Sequence, residues 1–347
     1  LKKATCLHLF PFRFVPPYGG GMEIGMKITK LSAFLLCIPL LCVPLVSCSD
    51  GNTGEKKIAV IVKAMDSDFW HGVKSGVDAA ATEYNVSVTF EGPENEEDYE
   101  NQNKMIEAAV NNGADAIVLS AIDYEKSAET VNEAVKSGAR VITIDSGVDS
   151  KQVSMFIGTD NVAAGQKAGE VCVSNFSKSD EINIALINYY KSTKNGIQRE
   201  DGFREYINNT PNASIITSVN VNSNTESVAS AVTALLEDNS DINVIVGFNE
   251  WMTLGIGKAI KRLDLSDEIY AVGFDTNSVS VGMLETGEID TLIVQNPFAI
   301  GYLGVKYAAE TDKGKNTTEQ ALYTDAVAVN KENLFDEDIQ KLVFRFN

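Results

Sequence analysis

Short apolar segments recur at fairly regular intervals along this chain, and most are followed by a stretch with the periodicity of an amphipathic helix. The apolar segments are rich in β-branched residues and lack polar alternation, as is typical of parallel strands covered by helices on both faces. The pattern predicts an α/β protein whose strands are Lys57–Val62, Val86–Phe90, Ala116–Leu119, Val141–Ile144, Met155–Gly158, Ile182–Ile187, Ser214–Val219, Val244–Val246, Tyr270–Phe274 and Thr291–Val294.

The stretch after the first strand shows the helical pattern most clearly. Its apolar residues fall at spacings of three and four, which predicts one buried stripe: Phe69, Val73, Val77, Ala80, Ala81 and Tyr84. Two later helical segments end at Asn112-Gly113 and Ser137-Gly138, where a glycine indicates a helix C-terminus before the next strand.

The two halves of the chain resemble each other. A helix end, a polar turn and an apolar strand occur in this order at 111–120 and again at 238–246. We therefore predict two similar lobes, each a parallel sheet flanked by helices, which meet near Thr159 and Asp160. No linker rich in proline or serine separates them, so we expect several short crossing strands that act as a hinge. The predicted N-terminal lobe comprises 57–159 and 296–324, and the C-terminal lobe comprises 160–295 and 325–347.

The segments before the first strand are expected to lie outside the folded lobes. Residues 26–30 form a short basic start, and residues 31–46 are almost wholly apolar before Ser47 and Cys48. Charged, apolar and small residues in this order are the build of a bacterial secretion signal. A cysteine directly after the small residue resembles the lipobox of bacterial lipoproteins, in which cleavage leaves the cysteine N-terminal and carrying lipid.

A transmembrane helix is the alternative interpretation of residues 31–46. Pro39 and Pro44 interrupt this segment, and it is shorter than the roughly 20 residues needed to span a bilayer. We therefore predict a lipid-anchored protein that works outside the cytoplasm at the surface of a bacterial cell membrane. The predicted segments are an over-extended start at 1–25, a signal peptide at 26–47 and a tether at 48–56.

Charge and composition exclude several functions. The formal net charge is −19, so nucleic acid and anionic lipid are not expected ligands. After Cys48, the chain contains one further cysteine, Cys172, and one histidine, His71. We expect Cys172 to be a buried, unreactive thiol and His71 to face solvent in the first turn of a helix. This scarcity argues against a zinc site or a serine–histidine–aspartate triad, so no enzyme activity and no cofactor are expected.

Polar and aromatic side chains follow nearly every predicted strand. In open parallel sheets ligands bind beyond the carboxyl ends of the strands, so these side chains are candidates for a site. Carboxylates and amides match the hydroxyls of a sugar, and an aromatic ring covers its C–H face. Helix capping is the alternative role for a single Asp or Asn. Because the pattern recurs at so many strands, it favours a binding site for a sugar or another polyol.

Several segments, read in order, resemble type I periplasmic binding proteins, above all the ribose-binding receptors of sugar ABC transporters. The segments are Asp68–Trp70, Val141–Asp145, Gly158–Asn161, Arg199–Phe203, Gly247–Glu250, Val272–Asp275 and Gln295–Pro297. The resemblance extends from Lys57 to about Val329. It implies two similar α/β lobes that bind a ligand in the cleft between them.

The resemblance also implies a set of ligand-binding residues. The aromatic pair that stacks on the sugar falls on Phe69 and Trp70. Trp70 is expected to present the exposed face, because Phe69 also belongs to the core stripe. Asp145 and Arg199 are expected on opposite lobes, facing one ligand. The remaining polar positions of the family fall on Asn249, Asp275 and Gln295.

The chain departs from the ribose-binding pattern at several of these positions. Ser146 stands where that subfamily has an arginine, and Ser67 and Ser120 stand where it has asparagines. No aromatic residue occurs near Ser223, where the family has a third stacking ring, and the pair Tyr189–Tyr190 is the candidate to replace it. We include the three serines in the predicted site and expect that their small size makes room for a larger or modified sugar.

The predicted function is that of a monomeric receptor that captures a pentose, hexose or related polyol and delivers it to an ABC permease. The alternative is a sensor that presents a sugar or an autoinducer-type ligand to a kinase or chemoreceptor. A sugar-responsive transcription regulator has a similar pair of lobes, but it would carry a DNA-binding helix-turn-helix where this chain has a signal-like segment.

Processing at Ser47–Cys48 is the first testable prediction. We expect cleavage between these residues and lipidation of Cys48, because a small residue directly precedes the cysteine at the end of the apolar segment. Intact-mass analysis of protein extracted from membranes measures the mature N-terminus and its modification. An N-terminus elsewhere, or an unmodified Cys48, contradicts the prediction.

Overall fold

The computed structural model describes residues 55–310 and 320–344. The predicted signal peptide and Cys48 lie outside these residues. Within them, none of the helices combines the length and the apolar character needed to cross a bilayer.

Strands and helices alternate along most of the described chain. The strands are β1 (Lys57–Ile61), β2 (Ser87–Glu91), β3 (Ala116–Leu119), β4 (Arg140–Ile144), β5 (Met155–Thr159), β6 (Ile182–Asn188), β7 (Ala213–Asn220), β8 (Val244–Gly247), β9 (Tyr270–Phe274), β10 (Thr291–Val294), β11 (Ala321–Thr324) and β12 (Val327–Val329). The helices are α1 (Asp68–Tyr84), α2 (Tyr99–Asn111), α3 (Ala128–Lys136), α4 (Asn161–Ser174), α5 (Lys194–Asn208), α6 (Thr225–Asp238), α7 (Glu250–Leu263), α8 (Ser278–Thr286), α9 (Pro297–Glu310) and α10 (Glu337–Val343).

The strands form two six-stranded sheets, which confirms the predicted α/β fold. The first sheet has the order β11-β5-β4-β3-β1-β2, and the second has the order β12-β10-β9-β8-β6-β7. Neighbouring strands are parallel except for β12, which is antiparallel to β10. We refer to the first sheet with its helices as the N-terminal lobe and to the second as the C-terminal lobe. Short segments at 159–161, 294–297 and 324–327 connect the two lobes.

Every strand expected from the sequence is present, but β11 and β12 were not predicted. They contain four and three residues and are only partly buried, so they lack the long apolar run that marked the other strands. Each completes one sheet at its edge, and the turn between them is one of the three crossings.

The apolar pattern of the first strand explains the core of the N-terminal lobe. Alternate residues of β1 point to opposite faces of its sheet and join two separate apolar clusters, one under α1 and α9 and the other under α2 and α3. The predicted stripe of α1 is confirmed, since Val73, Val77 and Ala80 are fully buried. A single large cluster forms the core of the C-terminal lobe, and burial there raises the pKa of the Cys172 thiol. His71 is exposed in the first turn of α1, as expected.

Each lobe contains one pair of helices whose backbones touch at glycines. A Cβ on Gly76 of α1 would collide with the Phe298 carbonyl of α9, and a Cβ on Gly165 of α4 would collide with the Arg199 carbonyl of α5. Since α1 and α5 both begin beside the cleft between the sheets, these close approaches fix the two helices from which site residues project.

Gly165→Ala should therefore lower the free energy of unfolding by about 1–3 kcal/mol, because the added methyl group pushes α5 away from α4. Gly282→Ala is the matched control: its Cβ meets nothing within 4 Å in α8, so stability should stay the same or rise by up to about 1 kcal/mol. Urea unfolding followed by circular dichroism measures both. Equal stabilities in the two variants contradict this account of the helix pair.

Candidate functional site

The carboxyl ends of strands from both sheets meet at a small cavity between the lobes. Most of the predicted site residues line it: Ser67, Phe69, Trp70, Asp145, Arg199, Asn249, Asp275 and Gln295. The other two, Ser120 and Ser146, are fully buried next to it. The cavity encloses about 20 Å³, which is room for about one water molecule.

Asp145 lies at the centre of the site, directly after β4, and contacts both lobes. Its Oδ2 accepts from Ser120 Oγ at 2.9 Å and lies 3.3 Å from Lys63 Nζ. Its Oδ1 accepts from Asn195 Nδ2, on α5 of the C-terminal lobe, at 2.9 Å. The backbone of Asp145 is left-handed, with φ of 56°, a conformation found often at functional sites. Asp145 caps no helix in this structure, so the capping alternative does not explain it.

Lys63 is a buried cation that the sequence analysis did not include. It lies two residues after the end of β1 and is 3% exposed, with its ammonium 5.7 Å and 5.4 Å from the ring centres of Trp70 and Tyr189. Burial alone lowers the pKa of Lys63, but the carboxylates of Asp145 and Glu96 raise it by more than that, and the net shift is upward. Lys63 therefore stays charged and balances Asp145.

Arg199 reaches the same cavity from α5 in the C-terminal lobe. Its Nε donates to Asn161 Oδ1 and its Nη1 donates to the Phe248 carbonyl, both at 2.8 Å. Its guanidinium carbon lies 4.8 Å from the centre of the Phe274 ring. Nη2 is buried without a hydrogen-bond partner and lies 3.9 Å from Asp145 Oδ1. The guanidinium is thus held rigidly from one side, which leaves Nη2 as a donor on the cavity side.

The aromatic wall differs from the expectation in one respect. Trp70 was expected to present an exposed face, but it is 1% exposed and Phe69 is 8% exposed, so this expectation is wrong. The two rings meet edge to face at 4.9 Å. Trp70 packs in the apolar cluster under α1, and Glu96 accepts from its Nε1 at 3.0 Å, which satisfies the buried indole N–H. A contact such as this one, between a loop and the start of a distant helix, leaves no periodic signal in the sequence.

Of the two tyrosines considered as replacements for the third ring, Tyr189 lines the cavity and Tyr190 does not. Tyr189 is fully buried at the cavity and donates from its hydroxyl to Asn195 Oδ1, whereas the hydroxyl of Tyr190 donates to Asp123 outside it. Ser223 contacts the N-terminal lobe instead: its backbone N–H donates to Glu97 and its hydroxyl donates to Glu96.

Asp275 and Gln295 form the wall of the C-terminal lobe. Gln295 Nε2 donates to Asp275 Oδ1 at 2.6 Å, and Gln295 Oε1 is buried without a partner. Asp275 is left-handed like Asp145, with φ of 68°, and burial raises the pKa of its carboxyl. Asn249 has both of the roles considered from the sequence: its Oδ1 caps α7, and its side chain also lines the cavity.

The predicted serines have three different environments. Ser67 lines the cavity and also caps α1, since its hydroxyl accepts from the Trp70 N–H. Ser120 donates to Asp145 and does not line the cavity. Ser146 also lies behind the lining, and its hydroxyl has no hydrogen-bond partner.

Buried polar atoms without partners concentrate at this site. Of the eight such side-chain atoms in the described residues, four belong to residues at or beside the cavity: Ser146, Arg199, Thr276 and Gln295. A buried donor or acceptor without a partner costs about 1–3 kcal/mol, so native proteins rarely collect them in one place. A larger surface groove of about 860 Å³, beside Gly147 and Phe156, contains none of these atoms among its lining residues. Of these four residues Arg199 and Gln295 line the cavity, which therefore offers unused hydrogen bonds to a polar ligand.

Glu250 is a second charged residue that the sequence analysis left out of the site. Its Oε2 accepts from the Phe69 N–H of the other lobe at 3.3 Å, and its Oε1 accepts from Asn277 at 2.6 Å. Burial raises the pKa of Glu250 to about 7, and the nearby Asp275 carboxylate acts in the same direction. Glu250 directly follows Asn249, and this position in the sequence could have identified it as a site residue.

In the described part of the chain, no cluster of three or more His, Cys, Asp or Glu could hold a metal ion.

Comparison with known proteins relates this geometry to a family. Residues 58–316 match the family model described as periplasmic binding protein domain. The D-allose-binding periplasmic protein of Escherichia coli K12 is 24% identical over 262 residues, which cover 74% of this chain and 84% of that protein.

Two solved structures are also similar. A carbohydrate transporter solute-binding protein from Agrobacterium radiobacter, in complex with D-arabinose, is 30% identical, with a TM-score of 0.80 over 84% of this chain and 99% of that chain. An ABC transporter solute-binding protein from Agrobacterium vitis with bound D-fucose is 30% identical, with a TM-score of 0.79 over 83% of this chain and 100% of that chain.

The raised pKa of Glu250 predicts a pH-dependent stability. Between pH 4.5 and about 7 the folded protein keeps a proton on Glu250 that the unfolded chain has released. This contribution to the free energy of unfolding therefore falls as pH rises through that window, by on the order of 3 kcal/mol.

Glu250→Gln should remove that fall, so the variant gains stability relative to the wild type as pH rises from 4.5 to 7. Chemical unfolding at several pH values measures the difference. Glu285→Gln, which removes an exposed carboxylate from α8, should follow the wild type. Parallel curves for Glu250→Gln and the wild type contradict the prediction.

Proposed function

Since this chain belongs to the periplasmic binding protein family, we propose that it captures a sugar or related polyol in the cleft between its lobes. The concentration of unpartnered buried polar atoms at the cavity carries the proposal. A ligand with many hydroxyl groups both donates and accepts hydrogen bonds, and so supplies partners to Arg199 Nη2 and Gln295 Oε1 together.

The composition of the wall supports a sugar over other polar ligands. Phe69 and Trp70 offer apolar surface to C–H groups, while Asp145, Asn249 and Asp275 offer acceptors and donors to hydroxyls. The proteins similar to this chain include binders of D-allose, D-arabinose and D-fucose, which supports a pentose or hexose. Lys63 is added to the proposed site because its ammonium is held by Asp145 and keeps further donor capacity.

We propose that the ligand enters and is held by a hinge motion. Sites for small molecules usually enclose roughly 300–1,000 Å³, so a cavity of about 20 Å³ must widen to admit a sugar. The lobes are connected by three short segments and touch through bonds such as Phe69 N–H to Glu250, which can break without unfolding either core. A ligand that contacts both lobes then favours closure by its differential affinity.

The proposed receptor works at a membrane surface and together with a permease. We propose a monomeric lipoprotein that is anchored through Cys48 and delivers its sugar to an ABC permease. It acts by binding, not by catalysis, and His71 lies on the exposed face of α1 outside the cavity. Sugar-dependent stimulation of the permease's ATPase in vesicles separates transport from the alternative of a sensor that presents its closed form to a kinase or chemoreceptor.

A thermal-shift screen of pentoses, hexoses and polyols tests the proposal first, and calorimetry with the best ligand tests its residues. Asp145→Asn and Arg199→Lys should each weaken binding by about tenfold to 150-fold, because each leaves polar groups of a bound sugar unpaired in a site shielded from water. Lysine replaces the charge of Arg199 but not its fork of donors.

Two exposed positions provide matched controls. Asp201→Asn lies on the same helix as Arg199, and Arg262→Lys lies on α7, so both should bind like the wild type. Near-normal affinity in folded Asp145→Asn and Arg199→Lys removes these residues from the site. A screen in which no sugar or polyol raises the melting temperature of the wild type contradicts the proposed function.

A further inference from the structure

Glu96 is a buried carboxylate whose two oxygens bond to different lobes. It lies in the loop between β2 and α2 of the N-terminal lobe, lines the cavity and is 6% exposed. Its Oε1 accepts from the indole Nε1 of Trp70 at 3.0 Å, within its own lobe. Its Oε2 accepts from the hydroxyl of Ser223, in the C-terminal lobe, at 3.3 Å.

The bond to Trp70 fixes the orientation of the indole ring. Trp70 is 1% exposed, and a buried indole N–H needs an acceptor because leaving it unpaired costs free energy. Glu96 is the acceptor that the structure provides. The position of this carboxylate therefore determines which way the ring faces the cavity.

The bond to Ser223 connects the same carboxylate to closure of the cleft. Ser223 directly precedes Asn224, the N-cap of α6, and its backbone N–H donates to Glu97 at 2.8 Å. The start of α6 is thus attached to two neighbouring acidic residues of the other lobe. Parting of the lobes would remove the bond from Ser223 and leave Glu96 with its contacts inside the N-terminal lobe, among them the bond from Trp70.

We propose that Glu96 is a positioning residue that couples closure of the cleft to the orientation of the Trp70 ring. The inference rests on the proposed function, because ring orientation affects affinity only if the ligand stacks on Trp70. The purely structural alternative is that Glu96 satisfies the indole and that Ser223 has no influence on the ring.

Fluorine NMR of the full chain labelled with 5-fluorotryptophan distinguishes the two. The chain has two tryptophans, Trp70 and Trp251, so two resonances are expected, and Trp251→Phe assigns them. Ser223→Ala does not touch the indole, yet under the proposal it should move the Trp70 resonance without any ligand present. Glu96→Ala should move it in the same direction, and the double variant should match Glu96→Ala alone.

Two further variants act as controls. Glu96→Gln keeps an acceptor for the indole and should restore most of the wild-type spectrum. Glu100→Gln removes an exposed carboxylate at the start of α2, in the same acidic segment, and should leave the Trp70 resonance unchanged. Where a sugar binds the wild type, Ser223→Ala should weaken it by about twofold to tenfold, the range for one hydrogen bond.

A Trp70 resonance that Glu96→Ala moves and Ser223→Ala leaves in place overturns the inference in favour of the structural alternative. The inference is also overturned if the change in the double variant equals the sum of the two single changes, because the effects of independent contacts are additive and those of coupled contacts are not. The spectra require no ligand, so they decide the coupling even if the sugar screen fails. Thermal melts of each variant confirm folding. If Glu96→Ala does not fold, the single variants Glu96→Gln and Ser223→Ala are compared instead.

Discussion

The site is organised around a buried ion pair, that of Lys63 with Asp145. Two charges removed from water are tolerated only when each is paired and its remaining hydrogen bonds are made. Lys63 comes from the end of β1, and Asp145 is completed by Ser120 of its own lobe and by Asn195 of the other. The ion pair therefore has all of these hydrogen bonds only when the two lobes are together. The geometry of the site depends on this arrangement.

The charges around this pair shape what the cavity accepts. Lys63 and Arg199 face Asp145, Asp275 and Glu96, and the nearby Glu250 is held partly protonated by burial. Acidic groups outnumber basic ones, so a bound anion would add repulsion in a region of low dielectric. A neutral polyol adds no such repulsion, and its hydroxyls can form hydrogen bonds with both the basic and the acidic groups. Closing on such a ligand would let hydroxyl groups take the place of water at the charged groups, and the hydrogen bonds of the ion pair would be kept.

The fold was predictable from the sequence because its strands are continuous apolar runs, and the exceptions have physical causes. β11 and β12 are short edge strands without such a run. Residues placed directly after strands, such as Asp145 and Gln295, were found because parallel strands end at one edge. Glu96 was missed, and the burial of Trp70 with it, because their contact joins a loop to the first turn of α1 and no sequence period relates the two. Asn249 showed that capping and lining the cavity are compatible roles for one side chain.

The similarity of the two lobes explains why so few elements suffice to build the site. Asp145 follows β4 and Asp275 follows β9, the third strands of their sheets, and both adopt the left-handed backbone that turns a carboxylate toward the cleft. The helices that carry Trp70 and Arg199 are each pressed against a partner helix at a glycine. Because packed backbones do not deform easily, each lobe holds its half of the site rigidly. In the proposed hinge motion the three short crossings absorb the relative movement of the lobes, so that ligand contacts would form or break together.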